Sequence, residues 1–156
     1  MYFNNIFKNK KILITGHTGF KGSWLTLWLK MLGANINGIS LYNPDPICHY
    51  QFIEPKLKIS SNIVDINNLN KLNNVVQKIK PDFIFHLAAQ ALVKTSYEDP
   101  INTIKTNSIG TANLLECVKN LNKKIVVIII TSDKCYLDQE FKRGYKEEDI
   151  IGGYDP

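Results

Sequence analysis

An apolar strand that leads directly into a glycine-rich turn and an apolar helix constrains this chain more than any other feature. Residues 11–15 (KILIT) form a short continuous apolar run, which is typical of a strand buried on both faces. Gly16, Gly19 and Gly22 follow at Gly-x-x-Gly-x-x-Gly spacing, and residues 23–32 are apolar at helical spacing. Such glycines permit a tight turn, close backbone approach to a pyrophosphate and close helix–sheet packing, while the helix N-terminus offers free amides. The pattern predicts a dinucleotide-binding turn rather than an incidental one.

The rest of the chain alternates between strand and helix patterns. Further strands are predicted at residues 37–40, 62–66, 82–87 and 124–131, and helices at residues 67–80 and 101–122, with Pro100 near the start of the second. We expect a long irregular connection over residues 41–58 and a loop over residues 132–156. Strands that alternate with helices pair in parallel through right-handed crossovers. The predicted fold is therefore α/β, a Rossmann-like doubly wound parallel sheet that is incomplete at the C-terminus.

Composition is consistent with one domain over residues 1–156. The chain has 44% apolar residues and a net charge of +5, but its lysines are scattered, so we expect no nucleic-acid partner. No signal peptide and no membrane-spanning run is apparent, which predicts a cytoplasmic protein without a membrane partner. The cysteines Cys48, Cys117 and Cys135 are widely spaced and odd in number, so we expect free thiols and no metal site.

Two features of the predicted cofactor region leave alternatives open. An acidic residue is expected about 20 positions after the glycine turn, to bind the ribose hydroxyls. The second strand has no such residue at its end, so the residues alone do not decide between NAD and NADP. Asp65, followed by Ile66, resembles the Asp-hydrophobic pair that contacts the adenine in short-chain dehydrogenases. Alternatively it caps the next helix, and the sequence is compatible with both.

Polar and small residues follow the fourth and fifth strands, at the sheet edge where ligands of such folds bind. Taken alone, His86 is interpreted as a strand-end or core histidine, and Leu87, Ala88 and Ala89 as small or apolar residues against which a cofactor lies. Ser132, Asp133 and Lys134 are either a group that hydrogen-bonds a sugar hydroxyl and moves protons, or a solvated turn with a local ion pair. On the first helix, Trp24 and Trp28 lie one turn apart and are expected in the core.

Several segments together resemble the CDP-glucose 4,6-dehydratase family of extended short-chain dehydrogenases. They are TGHTGFKGSWLTLWL (15–29), HLAAQALVKTSY (86–97), TSDKCY (131–136), GYKE (144–147) and GGYDP (152–156). Related sugar dehydratases carry Thr-Asp-Glu where this chain has Ser132-Asp133-Lys134, and the lysine favours the CDP-glucose branch.

The resemblance implies an enzyme that converts CDP-glucose to CDP-4-keto-6-deoxyglucose by transient hydride transfer to bound NAD. In this family pattern Lys134 removes the C5 proton, Asp133 protonates the departing C6 hydroxyl, and Ser132 hydrogen-bonds the C4 oxygen. Phe20 and Lys21 in the turn, and Asn107, would join the cofactor-binding residues, and Gln90 would contact the substrate. Asn107 is either a solvent-facing side chain or, by the resemblance, the site of a helix distortion.

One part of the family pattern is not found in the chain. No Tyr-x-x-x-Lys pair occurs, and by resemblance the pair begins immediately after Pro156 and is followed by a substrate-binding lobe. We therefore expect a truncated domain that binds dinucleotide but does not complete dehydration alone, while the full-length protein forms a homodimer. Two other functions stay open: another extended short-chain epimerase or reductase of sugar nucleotides, and a non-catalytic dinucleotide-binding domain.

Overall fold

Five parallel strands form one sheet in the computed structural model, which describes residues 2–41, 48–132 and 135–153. The spatial order is β3-β2-β1-β4-β5. The strands are β1 (Lys11–Thr15), β2 (Asn35–Ser40), β3 (Ser60–Ile63), β4 (Phe83–His86) and β5 (Val126–Ile129). All four neighbouring pairs are parallel. The predicted parallel α/β sheet is confirmed.

Helices cover both faces of this sheet. They are α1 (Phe20–Met31), α2 (His49–Leu57), α3 (Leu69–Ile79), α4 (Val93–Glu98), α5 (Pro100–Ile104) and α6 (Gly110–Lys119), with a π-helical turn at Lys105–Ile109 and a 3-10 turn at Tyr2–Asn5. Leu29 of α1 packs with Ile12 and Ile14 of β1 on one face, while Leu72 of α3 and Leu114 of α6 pack on the other. The two layers of apolar side chains fix the sheet between the helices.

Three predicted element boundaries are wrong or incomplete, each for a physical reason. Strand β3 is Ser60–Ile63 rather than 62–66, because its pairing with β2 ends at the Val64 N–H, which donates to the Ser40 carbonyl at 3.0 Å. Beyond that bond the chain turns away, and the side chains of Val64 and Ile66 lie in the core. The connection predicted as irregular contains α2, whose Pro55 obscured its helical pattern, while residues 42–47 lie outside the described residues. The helix predicted at 101–122 exists as α5, the π-turn and α6 in unbroken succession. The short helix α4 was not predicted.

The two tryptophans of α1 are not in the core, which corrects the sequence-based expectation. Each is 52% exposed, whereas the buried face of α1 consists of Gly22, Ser23, Thr26 and Leu29. Small residues there let the helix lie close to the sheet, which leaves the large side chains on its outer surface. Trp24 stacks on His49 of α2, with ring centroids 4.0 Å apart, and Trp28 packs edge-on against Phe3.

The cysteines and the lengths of the helices complete the description of the fold. All three cysteines are free thiols, as predicted, and Cys117 is fully buried. Within the part of the chain that the structure describes, no helix has the length and apolar character needed to cross a membrane.

Candidate functional site

A cleft of about 380 Å³ opens at the carboxyl edge of the sheet, where the strand order changes direction between β1 and β4. Ligands of open parallel sheets bind at such a switch point. Seven of the residues predicted to bind the cofactor line it: Gly16, Gly19, Asp65, Ile66, Leu87, Ala88 and Ala89. The strand ends and the turn thus bring together residues that are up to 73 positions apart in the chain.

The glycine turn is packed so closely that side chains are excluded at two of its three glycines. Gly16 has a φ of +73°, and a Cβ there would lie 2.8 Å from the backbone nitrogen of Ala88. A Cβ at Gly22 would lie 2.0 Å from the carbonyl oxygen of Gly16, so this residue lets α1 start directly against the turn. At Gly19 the nearest atom to a Cβ is the same carbonyl oxygen at 3.3 Å, and Gly19 lines the open side. The turn therefore presents bare backbone to the cleft.

Helix α1 begins at this turn without a side-chain cap. Gly19 is its N-cap residue in an extended conformation, and no side chain of the described residues accepts a hydrogen bond from its first turn. The uncapped amides and the helix dipole provide a site for an anion such as a phosphate. Phe20 and Lys21 lie in this first turn with exposed side chains, and neither contributes to the wall of the cleft.

The segment after β4 packs beside the turn and forms another part of the cleft wall, and it is held by hydrogen bonds. The Ala88 backbone N–H donates to Thr15 Oγ1 at 3.2 Å. The Asn107 side chain forms two hydrogen bonds with the backbone of Gln90. Its Oδ1 accepts from the Gln90 N–H at 2.8 Å, and its Nδ2 donates to the Gln90 carbonyl at 2.9 Å. Asn107 lies within the π-helical turn, so the predicted helix distortion is present.

Gln90, predicted to contact substrate, is heavily engaged within the chain. Its Nε2 donates to the Leu92 carbonyl at 3.1 Å and to Thr103 Oγ1 at 3.0 Å, and its Oε1 accepts from the Leu92 N–H at 2.7 Å. Both amide protons are used, so only oxygen lone pairs of this side chain are left for a ligand. The observed contacts make Gln90 an organiser of its loop.

His86, at the end of β4, is 2% exposed and bonded on both ring nitrogens, to Thr15 and to Thr111. Its burial lowers the pKa of the imidazole below the ordinary value. The interpretation of His86 as a strand-end histidine in the core is confirmed.

Asp65 and Ile66 lie on the β3 side of the cleft. Asp65 is exposed, and its Oδ1 accepts from the Asn67 N–H at 2.8 Å. It does not cap α3, because the N-cap is Asn68, whose side chain accepts from the Lys71 N–H at 3.0 Å. The capping interpretation of Asp65 is therefore wrong, and its contact with an adenine stays a prediction. Ile66 is buried against Gly110, where a Cβ would lie 2.5 Å from its side chain.

His17 is a residue of the turn that the sequence interpretation missed. It is fully buried, its Nε2 is 2.8 Å from Ser61 Oγ, and its ring meets that of Tyr50 edge-on at 5.0 Å. Burial lowers the pKa of His17, and the Ile39 carbonyl and the Glu54 carboxylate act in the opposite direction. Its ring also fills the space over Gly38, where a Cβ would lie 2.3 Å away. A buried neutral ring thus braces the turn against β2, β3 and α2.

The predicted proton-transfer group follows β5. Pairing of β5 with β4 continues as far as the Ile130 N–H, which donates to the His86 carbonyl at 3.0 Å, and Ser132 lies exposed two residues later at the same edge. Asp133 and Lys134 lie outside the described residues. The structure thus places the start of the Ser-Asp-Lys segment beside the end of β4.

Several cleft residues were not singled out from the sequence. They are Thr18, Ser40, Leu41, Val64, Asn67, Asn102 and Thr106. Ser40, Leu41 and Val64 stand at the ends of β2 and β3, so the strand-end rule applied to β1 and β4 would also have found them. Asn102 and Thr106 belong to α5 and the π-turn, and their approach to the cleft depends on helix packing that no local pattern reveals.

These observations define the class of protein: a Rossmann-type α/β domain with a glycine-rich turn beside the cleft at its switch point. The model of the GDP-mannose 4,6 dehydratase family matches residues 13–153. The chain belongs to this family.

Individual relatives agree with that assignment. The chain is 45% identical over its whole length to the CDP-glucose 4,6-dehydratase of Salmonella typhimurium, of which it covers 44%. It is 36% identical over 120 residues to a GDP-mannose 4,6-dehydratase of Vibrio cholerae, an alignment that covers 72% of this chain and 32% of that protein.

A solved structure shares the fold. The UDP-glucose-4-epimerase of Stenotrophomonas maltophila, solved with bound NAD and a formylated UDP-arabinopyranose, superposes with a TM-score of 0.80 over 94% of this chain and 44% of its own. Its sequence identity of 18% shows the fold alone. The chain spans less than half the length of the relatives and of the solved structure that it matches.

Proposed function

We propose that this chain is the dinucleotide-binding part of a sugar-nucleotide 4,6-dehydratase that converts CDP-glucose to CDP-4-keto-6-deoxyglucose with bound NAD. The observation that carries the proposal is the closely packed glycine turn, whose Gly16 and Gly19 line the cleft at the switch point. The Ser-Asp-Lys sequence at the neighbouring strand end adds the groups that dehydration needs.

The described residues fit a dinucleotide. A side chain at Gly16 would strike the Ala88 backbone, so glycine lets the turn pack directly against the segment that forms the neighbouring part of the cleft. The uncapped first turn of α1 would hold the pyrophosphate through backbone amides, with Lys21 nearby as an exposed cation. Asp65, exposed beside the cleft, would accept a hydrogen bond from the adenine side of the ligand.

Bound NAD would supply a reversible oxidation of the sugar at C4. The ketone at C4 makes the C5 hydrogen acidic, and a neighbouring base is then needed to remove it. Lys134 is proposed as this base, because a neutral amine accepts a proton. Asp133 is proposed to donate a proton to the C6 hydroxyl as it leaves as water, and Ser132 to hydrogen-bond the oxygen at C4. In the complete cycle the hydride taken from C4 would be returned to C6 after the water has left, so the sugar loses one water and the cofactor ends unchanged.

CDP-glucose is favoured over a GDP sugar by two observations. Identity is 45% to the CDP-glucose 4,6-dehydratase and 36% to the GDP-mannose 4,6-dehydratase. By its resemblance to the CDP-glucose 4,6-dehydratase family, the chain has a lysine at position 134 where related sugar dehydratases have a glutamate. The nucleotide itself is expected to be held by parts of the protein outside this chain.

The assembly and location of the whole protein are part of the same proposal. Exposed apolar residues on α5, the π-turn and α6 support a homodimer that pairs through these helices: Ile101, Ile104, Ile109 and Leu115. We expect the whole protein to act in the cytoplasm. We also expect the 156-residue chain to bind NAD but not to turn over CDP-glucose without a Tyr-x-x-x-Lys pair.

The test follows one deuterium atom. The protein expressed from the complete gene is incubated with NAD and CDP-glucose deuterated at C4, and the product is analysed by NMR. A 4,6-dehydratase yields a 4-keto-6-deoxy sugar with the deuterium at C6. An epimerase returns the deuterium to C4 and leaves the C6 hydroxyl in place, and a binding domain leaves the substrate unchanged; either result rejects the proposal.

The catalytic roles are tested in the same protein. Lys134→Met is expected to lower kcat/KM by about 10²–10⁴-fold, the usual contribution of a general base. Lys142→Met, a substitution of the same type in the exposed loop after the site, is the matched control and should change kcat/KM little. The proposed NAD site is tested separately, by calorimetric titration of the 156-residue chain with NAD.

A further inference from the structure

A continuous chain of polar side chains runs through the apolar core beneath the cleft. Thr15, at the end of β1, is fully buried, and its Oγ1 is 2.6 Å from Nδ1 of His86. On the other side of the ring, His86 Nε2 is 2.9 Å from Oγ1 of Thr111, in the first turn of α6. Thr15 and His86 are buried and Thr111 is partly buried. Burial of a polar side chain is costly unless it is hydrogen-bonded, so each polar atom of Thr15 and His86 requires a partner.

The protons of these three side chains can be assigned by counting hydrogen-bond donors and acceptors. Thr111 Oγ1 donates its only proton to the Asn107 carbonyl at 2.7 Å, so it can only accept from His86 Nε2. Thr15 Oγ1 accepts from the Ala88 N–H at 3.2 Å, and of its two contacts only His86 Nδ1 can accept the proton of the hydroxyl. Every proton of the three side chains has an acceptor when His86 is neutral and carries its single proton on Nε2, and this is the tautomer assigned here. A proton on Nδ1 would face the hydroxyl proton of Thr15.

Thr111, the last of these three hydrogen-bonded side chains, contacts the π-helical turn. This turn is closed by the Gly110 N–H, which donates to the Lys105 carbonyl five residues earlier. The hydroxyl of Thr111 supplies a donor to the Asn107 carbonyl within the widened turn. The Asn107 side chain then binds both backbone groups of Gln90, in the loop that continues from the cleft wall at Leu87, Ala88 and Ala89.

We propose that Thr15, His86 and Thr111 act as a positioning device for the cofactor cleft. His86, protonated on Nε2 alone, ties the strand that enters the glycine turn to the π-turn, and thereby fixes Asn107 and the loop that Asn107 holds. His86 is a positioning residue, since its contacts are with Thr15 and Thr111 and it does not line the cleft. This inference rests on the proposed function in one respect: that the ligand of the cleft is NAD.

The first test needs no variant. In the 156-residue chain labelled with ¹⁵N, the ring nitrogens of His86 report its tautomer directly at neutral pH. We expect a protonated Nε2 and an unprotonated Nδ1. The opposite tautomer, or a doubly protonated ring, overturns the proposal.

The second test asks whether a change at Thr111 alters the loop at Gln90, which Thr111 does not itself bond. Thr111→Val keeps the shape of the side chain but removes the acceptor for His86 and the donor to Asn107, and Thr111→Ser keeps the hydroxyl. We expect hydrogen exchange of the Gln90 amide to be about tenfold faster in Thr111→Val, as for a loss of roughly 1.4 kcal/mol. Thr111→Ser should restore protection, and the Lys71 amide, held by the unrelated cap of α3, should be unchanged in both.

The outcomes separate the two proposals. Unchanged exchange at Gln90 in Thr111→Val, or an equal change at Lys71, overturns the positioning device. If exchange behaves as expected and Thr111→Val also weakens NAD binding about tenfold, the device serves the cofactor cleft. If exchange behaves as expected but NAD binds neither the native chain nor Thr111→Ser, the device is upheld and the proposed function fails.

Discussion

At the scale of single residues, Gly22 shows how little space the turn leaves. A Cβ there would meet the backbone of Gly16, at 2.0 Å from its oxygen and 2.8 Å from its carbon. Alanine would favour a helix over glycine by roughly 0.5–1 kcal/mol, but forcing a methyl group into closely packed backbone costs roughly 1–3 kcal/mol. We therefore expect Gly22→Ala to lower the free energy of unfolding, measured by urea denaturation.

Gly144→Ala is the matched control for this substitution. Gly144 has nothing within 4 Å of the position of a Cβ, so alanine should leave the stability unchanged or raise it slightly. A Gly22→Ala variant as stable as Gly144→Ala would contradict the packing argument. Loss of NAD binding by Gly22→Ala, beyond what its stability explains, would add support for the proposed cofactor site.

Cys117 offers a second test at this scale. It is fully buried, and burial raises the pKa of its thiol to about 11, with the Glu116 carboxylate acting in the same direction. The thiolate is the reactive form, so at pH 8 this thiol should react with a disulfide reagent only when the protein opens. Cys48 and Cys135 are partly exposed and should react in the folded state. A titration that finds three fast thiols in native protein would contradict the burial of Cys117.

At the scale of elements, α3 allows the same substitution to be tested at two positions with opposite expected effects. Asn68 caps the helix through its hydrogen bond from the Lys71 N–H, and Asn68→Ala should cost about 1 kcal/mol of stability. Asn74 lies exposed within the helix, where alanine is the better helix former, so Asn74→Ala should raise stability by a few tenths of a kcal/mol. Equal effects in urea denaturation would show that Asn68 does not act as a cap.

Sequence reasoning succeeded for the elements whose signal is local. The strand before Gly16, the helix after it and the amphipathic α3 follow from periodicity and breakers within about ten residues. It failed where a residue's place depends on a distant partner. Val64 and Ile66 are apolar because they fill the core after β3, and Trp24 is exposed because α1 approaches the sheet through its small residues. Periodicity alone cannot tell these situations from a longer strand or a buried aromatic.

The same distinction applies to the site. Gly16, Gly22 and the strand-end residues of β4 were predicted because turn chemistry and strand direction determine where they lie. His17 contacts Ser61 and Tyr50, and His86 contacts Thr111. These part-buried contacts join residues that are 25–44 positions apart in the chain. A lone histidine in a sequence gives no sign of such partners.

At the scale of the whole molecule, two buried histidines make stability depend on pH. Burial holds the pKa of both His17 and His86 below the ordinary value of 6.5. The unfolded chain therefore binds protons near pH 6.5 that the folded chain does not bind, so stability is fully present above that pH and falls below it. The limiting slope is about 1.4 kcal/mol per pH unit for each such proton.

A second loss is expected at lower pH from two aspartates. The Arg143 guanidinium lowers the pKa of Asp149 to about 2, and a hydrogen bond from Lys123 lowers that of Asp82. Their contribution is present above about pH 4, the ordinary range of a carboxyl group, and is lost as the pH falls towards 2. The histidine and aspartate contributions therefore fall in separate ranges of pH.

Urea denaturation from pH 8 to pH 3 can distinguish these contributions. We expect a first decline that begins near pH 6.5 and a second that begins near pH 4. Arg143→Gln removes the ion pair with Asp149 and should reduce the second decline while leaving the first unchanged, since Arg143 is remote in the chain from both histidines and contacts neither. A flat stability between pH 8 and pH 5 would contradict the neutral, buried state of His17 and His86, and with it the proton assignment on which the positioning device depends.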